Sequence, residues 1–216
     1  MDLPLFPLHT VLFPGMSLPL HIFEPRYRTM IADCLDSQQP FGVVLIRSGS
    51  EVGGPAEPHT VGTTARILAH ERLSDGRLNI NTLGHERFRI QSLHGEGELL
   101  IAGADILPHP AADPATDTPL ARALAPLLQS YLRLLQEAAE ATFQSPPLPP
   151  SPLALAYTAA ILVQAPPADK QELLEFATLA ELLRRERIIF RRELGLLRAM
   201  LGRPARAGPP ESFSPN

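Results

Sequence analysis

Seven histidines, one cysteine and one lysine are the side chains of this 216-residue chain from which metal binding or nucleophilic catalysis could be built. His9, His21, His59, His70, His85, His94 and His109 are scattered, and no two form an H-x-x-x-H pair. A structural zinc site needs four close ligands, and no cluster of His and Cys supplies them. Cys34 falls on the apolar side of a helical pattern, which makes it a small buried hydrophobe and not a nucleophile. Lys170, the sole lysine, has no glycine near it, so there is no G-x-x-x-x-G-K-[ST] phosphate loop. It sits on an amphipathic helix, where it should be solvated. Ser48-Gly49-Ser50 lacks the strand–turn–helix setting of a nucleophile elbow. The expectation is a protein with no catalytic residues, no metal and no cofactor.

Arginine is the other candidate. Between Ala180 and Asn216 eight arginines stand against four glutamates, giving +4, while the rest of the chain carries −8. Arg184, Arg187, Arg191 and Arg198 share one helix face, opposite an apolar stripe of Leu179, Leu183, Phe190, Leu194, Leu197 and Leu201. A solvated helix face accounts for this. The overall charge of −4 and the lack of a glycine- and aromatic-bearing RNA motif make nucleic acid an unlikely partner.

Composition is that of an ordinary globular protein, 44% hydrophobic and 19% charged. One cysteine rules out an intrachain disulfide. Met1-Asp2-Leu3-Pro4 has neither a cationic start nor a continuous apolar stretch, so no signal peptide is expected, and no apolar run approaches the ~20 residues that span a bilayer. A soluble cytoplasmic protein is the simplest expectation.

These residues must be positioned by two kinds of element. Up to residue 107, short apolar runs alternate with Gly, Pro and Asp, the pattern of a sheet. Phe41–Ile46 reads as a buried strand. Leu78, Ile80 and Thr82 alternate with polar neighbours, as Phe88 and Ile90 alternate with Arg87, Arg89 and Gln91. Asp75-Gly76 marks a hairpin. Leu99–Leu107 adds a further strand, and Ser48–Thr60 a surface loop. One helix intervenes: Pro25 suits its first turn, and Tyr27, Met30, Ile31, Cys34 and Leu35 form its stripe.

Residues 108–119 read as a linker, and residues 120–201 as helical. Helices are expected over Leu120–Phe143, Leu153–Ala165 and Asp169–Phe176. A fourth opens at the capping box Thr178-Leu179-Ala180-Glu181 and runs to about Leu201. Residues 202–216 are Pro/Gly/Ser-rich and expected to be a disordered tail. Segregated strands and helices predict an α+β fold.

The opening segment is the most specific feature. It reads Leu3-Pro4-Leu5-Phe6-Pro7-Leu8, then Val11 to Met16, then Leu18-Pro19-Leu20-His21-Ile22-Phe23-Glu24-Pro25-Arg26-Tyr27. It closely resembles the start of the Lon protease N-terminal (substrate-binding) domain, above all its stand-alone bacterial versions. Val61-Gly62-Thr63 with Ala65, and Gly84 with Arg87-Phe88, resemble later blocks of that family in the same order. Asp169-Lys170-Gln171 with Leu173-Leu174-Glu175 resembles its helical-half motif.

The resemblance implies a β-rich, PUA-like pseudo-barrel followed by a helical bundle. It implies a non-catalytic module binding a protein or peptide partner, without ATPase or protease domains. An apolar groove between the two halves, or an exposed β edge, would take the ligand. Glu24, Arg26, Arg28 and Thr29, on the outward side of the helix after Pro25, are the candidate partner-binding residues. An adaptor or assembly subunit acting with a protease in trans, and an RNA-binding PUA-like module, are the alternatives.

Overall fold

The computed structural model describes residues 1–51, 56–95, 99–139 and 147–202. The sheet half contains β1 (Asp2–Leu8), β2 (Ser17–Ile22), α1 (Pro25–Ser37), β3 (Phe41–Gly49), β4 (Ala56–Pro58), β5 (Val61–Arg72), β6 (Leu78–His94) and β7 (Ile101–Ile106). The helical half contains α2 (Pro114–Ala138), α3 (Pro152–Leu162), α4 (Pro167–Glu175) and α5 (Leu179–Leu201). The α+β expectation holds: a mixed, mainly antiparallel sheet precedes the helices.

The strand order is β1-β7-β6-β5-β3-β4, and β1 also pairs in parallel with β3. The sheet therefore returns on itself, β1 lying between β7 and β3. Two prolines in β1 are tolerated because each part of the strand has one partner. Asp2–Pro4 pair with β7, and Leu5–Leu8 pair with β3, so a missing N–H can face the side without a ladder. The long β6 is shared in the same way: Leu78–Leu83 pair with β2, and Phe88–His94 with β7. The predicted hairpin joins β5 to β6. Gly76 takes φ +82°, the left-handed region that a side chain disfavours.

Inside the sheet, α1 lays Tyr27, Met30, Ile31 and Cys34 on Phe6, Phe41, Val43 and Ile80. Phe6 stacks on Tyr27 at 4.2 Å between ring centroids, a contact worth about 1 kcal/mol beyond its buried area. The helical core is not purely helical. Val11, Phe13, Leu45 and Val61 from the sheet half pack with Leu124, Tyr131, Leu155 and Phe190.

Several expectations are corrected. Pro114–Pro119 is the start of α2 and not linker. The Asp113 carboxylate accepts from the Ala115 N–H and the Thr116 hydroxyl, and the Asp117 carboxylate accepts from the Asp113 N–H. The bond to Ala115 satisfies a free donor of the first turn, and the other two fix the cap around it. The remaining connection is held to the α4–α5 junction, where the Ala111 N–H donates to the Ala177 carbonyl and the Leu179 N–H to that of Ala111.

The α5 capping box forms, with a twist. The Glu181 N–H donates to the Thr178 hydroxyl at 3.3 Å, but the Glu181 carboxylate accepts from that hydroxyl, at 2.6 Å, rather than from a backbone N–H. Lys170 is half-buried instead of solvated. Its ammonium donates to the Ile161 carbonyl at 3.2 Å, and burial pushes its pKa down. The expected Ser48–Thr60 loop is partly strand, since Ser48 and Gly49 end β3 and pair with Glu57 and Ala56 of β4; residues 52–55, the segment from Glu140 to Pro146 and the tail beyond Gly202 lie outside the described residues.

Candidate functional site

Beta alternation puts Arg87 beside Arg89 and Gln91, yet Arg87 is only 4% exposed while the other two are open to solvent. Its face of the sheet is covered by the helical half. One Arg87 terminal nitrogen donates to the carbonyls of Leu174 and Phe176, 2.8 Å each, and the other to that of Pro108 at 2.6 Å. A planar guanidinium suits this, since its donors diverge in a fixed fork. Gln171 makes a second tie: its amide donates to the Val61 carbonyl at 2.9 Å. The two halves are thus joined through buried hydrogen bonds as well as through the shared core.

Three residues before Arg87, Gly84 seats the β1–β2 turn. A Cβ there would lie 2.2 Å from the Phe13 carbonyl oxygen. The Gly84 N–H donates to the Met16 carbonyl, and the Gly15 N–H to the Gly84 carbonyl. The G-x-x-R-F block therefore does three jobs. Gly84 admits the turn, Arg87 grips the helical half, and Phe88 fills the core.

These fixtures leave a cleft between the halves. It encloses about 370 Å³ and is lined by Pro14 and Gly15 of the turn, His109 of the connection, and Leu153, Ala154, Tyr157, Thr158 and Ile161 of α3. Residues 153, 157 and 161 follow i, i+4, i+8 and fall on one helix face. The sequence Pro152–Leu162 is apolar all round, the pattern of a helix buried on every side. Here one of its faces meets open space. The Tyr157 ring forms the floor, with its hydroxyl buried near Arg87 and raised in pKa by that burial.

The predicted residues on α1 do not converge. Glu24 and Arg26 form an ion pair at 2.9 Å, with side chains only 15% and 13% exposed. A guanidinium nitrogen of Arg26 also donates to the Glu51 carbonyl at 3.5 Å, and the Glu51 carboxylate accepts from the His9 N–H. This half-buried pair ties the start of α1 to the chain just after β3. Arg28 points instead to the β5–β6 turn, its guanidinium 2.4 Å from where a Gly76 Cβ would be. Thr29 is exposed, and its hydroxyl donates back to the Pro25 carbonyl. A separate groove of about 600 Å³ lies at the other end of α1, among Cys34, Leu35, Gln38, Gln39, Pro40, Arg66 and Ile67.

Among the described residues no three His, Cys, Asp or Glu side chains are grouped to hold a metal. The Cys34 thiol is pushed up to about 11, by burial first and by Asp33 second, which makes it a poor nucleophile. No helix of the described residues is long and apolar enough to cross a membrane.

Comparison with known proteins agrees with this architecture. A model of the ATP-dependent protease La (LON) substrate-binding domain matches residues 2–192. The Lon protease of Escherichia coli (strain K12) is 28% identical over 198 residues, 91% of this chain and 25% of that protein. The Lon protease of Anaeromyxobacter dehalogenans (strain 2CP-C) is 30% identical over 199 residues, 88% of this chain and 24% of that protein. The chain thus spans about a quarter of the length of these curated relatives.

A crystal structure of a Lon N-terminal domain protein from Xanthomonas campestris gives a TM-score of 0.61 at 25% identity, covering 86% of this chain and 96% of that one. The N-terminal domain of the Mycobacterium avium complex Lon protease gives 0.63 at 22% identity, covering 88% and 98%, a likeness of fold. By the extent of the family match and the agreement of its fold, this chain belongs to the LON substrate-binding domain family.

Proposed function

We propose that this protein is a non-catalytic module that binds extended or unfolded polypeptide, taking apolar side chains into the cleft between its sheet and helical halves. The observation that carries this reading is the open apolar face of α3. Leu153, Ala154 and Ile161 stand against Pro14 and Gly15, with no charged side chain in the lining. Such a site is concave and apolar, with a few polar groups at its edge. Family membership supports the same reading, since its matched relatives are Lon proteases and the matched model is a substrate-binding domain.

In this reading the sheet half is a PUA-like pseudo-barrel, for which the pairing of β1 with both β7 and β3 is the support. The helices form a bundle around α5, which α2, α3 and α4 all touch. The module acts in the cytoplasm. The outward side of α1 at Arg28 and Thr29 serves as a secondary contact, with Glu24 and Arg26 fixing the helix that carries it.

Fluorescence anisotropy with labelled apolar decapeptides and a reduced, carboxymethylated unfolded protein tests the proposal. Saturable binding is expected, competed by apolar peptide and weakened by Ala154→Asp, an exposed position whose substitution leaves the core intact. No binding up to roughly 0.5 mM, or binding indifferent to Ala154→Asp, sinks it.

A further inference from the structure

Helix α5 has a second face that nothing in the described structure covers. Leu182, Leu183, Ile189, Phe190 and Leu194 are buried, but Ile188 is 57% exposed, and Gly195 and Ala199 are exposed with it. At 100° per residue, Ile188, Gly195 and Ala199 fall at the centre of the outward face. A Cβ added at Gly195 would have nothing within 4 Å. Arg184, Arg191 and Arg198 run along one side of this stripe at seven-residue spacing.

The two flanks differ in their electrostatics. On one, Arg185 is paired with Asp169 and Glu172, and Arg192 with Asp169 and Glu193, at 2.7–3.0 Å. On the other, the side chains of Arg184, Arg191 and Arg198 make no hydrogen bond or ion pair with any of the described residues. Among the described residues, three cations without a side-chain partner thus line up beside an exposed seam of Ile188, Gly195 and Ala199.

We propose that this face of α5 docks an acidic amphipathic α-helix of another protein. The partner's apolar seam would lie over Ile188, Gly195 and Ala199, and its carboxylates would meet Arg184, Arg191 and Arg198. The seven-residue spacing is the repeat of paired helices, in which flanking charges select the partner. Small residues at 195 and 199 let a helix approach closely. Arg184 to Arg198 spans about 21 Å, roughly four turns, the length of an ordinary helix.

A second copy of this chain is disfavoured, because joining two such faces brings their arginines together. Nucleic acid is disfavoured by the net charge of −4 and by the seam itself, since Ile188 and Ala199 offer nothing to a phosphate backbone. The surface is separate from the cleft, and the inference does not depend on polypeptide binding there.

The test uses the full chain and a labelled 21-residue synthetic helix with Leu at the seam and Glu at the flanking heptad positions, beside a matched helix with Lys for Glu. The Glu helix should bind, more weakly as salt rises, and the Lys helix should not. Arg191→Glu with Arg198→Glu, both exposed and checked for unchanged thermal unfolding, should weaken the Glu helix roughly tenfold and admit the Lys helix. Ile188→Asn should weaken the Glu helix, while Ala154→Asp should leave it unchanged. Equal binding of both helices, no binding of either, or no response to the charge reversal overturns the proposal. So does single-stranded RNA binding lost in the reversed variant without Glu-helix binding, or self-association of the chain abolished by Ile188→Asn.

Discussion

Arg87 donates to the Leu174 carbonyl at 2.8 Å across the junction of sheet and helices, 87 positions away in the chain. The same guanidinium holds Phe176 and Pro108, so one side chain secures β6, the end of α4 and the connection between the halves. Its charge is desolvated, and that burial lowers its pKa, but three carbonyl dipoles offset the loss of water.

Arg87→Met should therefore destabilise the fold by about 3–5 kcal/mol, because it leaves three inward carbonyls without donors. Arg87→Lys, which keeps the charge but loses the fork, should fall between. Urea unfolding measures both. A loss under about 1 kcal/mol for Arg87→Met would show that the clamp is dispensable.

Gly84→Ala should cost about 1–3 kcal/mol, since its Cβ would overlap a backbone oxygen and not the movable end of a side chain. The β1–β2 turn must shift to make room, and with it Pro14 and Gly15, one wall of the cleft. The variant should lose peptide affinity as well as melting temperature. A thermal melt unchanged from wild type would mean that the turn yields freely.

Much of this was legible beforehand. The β alternation around Leu78–Thr82, the α1 stripe and the Thr178 cap are local patterns, and local patterns survive folding. What failed needed knowledge of a third layer. Alternation assigns Arg87 to a face but not to what covers that face. Composition made Pro114–Pro119 a linker, although Asp113-Pro114 followed by Asp117 is a capping signal that should outweigh it. The cleft was anticipated as a groove between halves. Its residues were not, because α3 reads as wholly apolar and only its neighbours decide which side stays open.

Glu186 is fully buried on α5, and neither carboxylate oxygen has a hydrogen-bond partner. Burial holds its pKa well above the usual 4.5. Below 4.5 both folded and unfolded chains carry the proton there. Above 4.5 the unfolded chain releases it first, so the unfolded state gains and stability falls as pH rises towards the folded value. The slope is about 1.4 kcal/mol per pH unit inside that window. Glu186→Gln should abolish this component and be more stable than wild type at pH 8. Urea titrations of both proteins at pH 5 and pH 8 check it, and parallel pH dependences would refute it.

Cys34 offers the last check, since it is the only thiol in the chain. Its residue is 5% exposed, yet it touches the groove at the end of α1. With its pKa at about 11 instead of the usual 9.0, the thiolate at neutral pH should be roughly a hundredfold scarcer than in an ordinary thiol. Iodoacetamide at pH 7.5, followed by intact-mass spectrometry, should leave the native protein unmodified over a time that fully alkylates it in urea. Equal rates in the two states would mean that the thiol reaches solvent through the groove, and that the packing of α1 against β3 is looser at its C-terminal end than its burial requires.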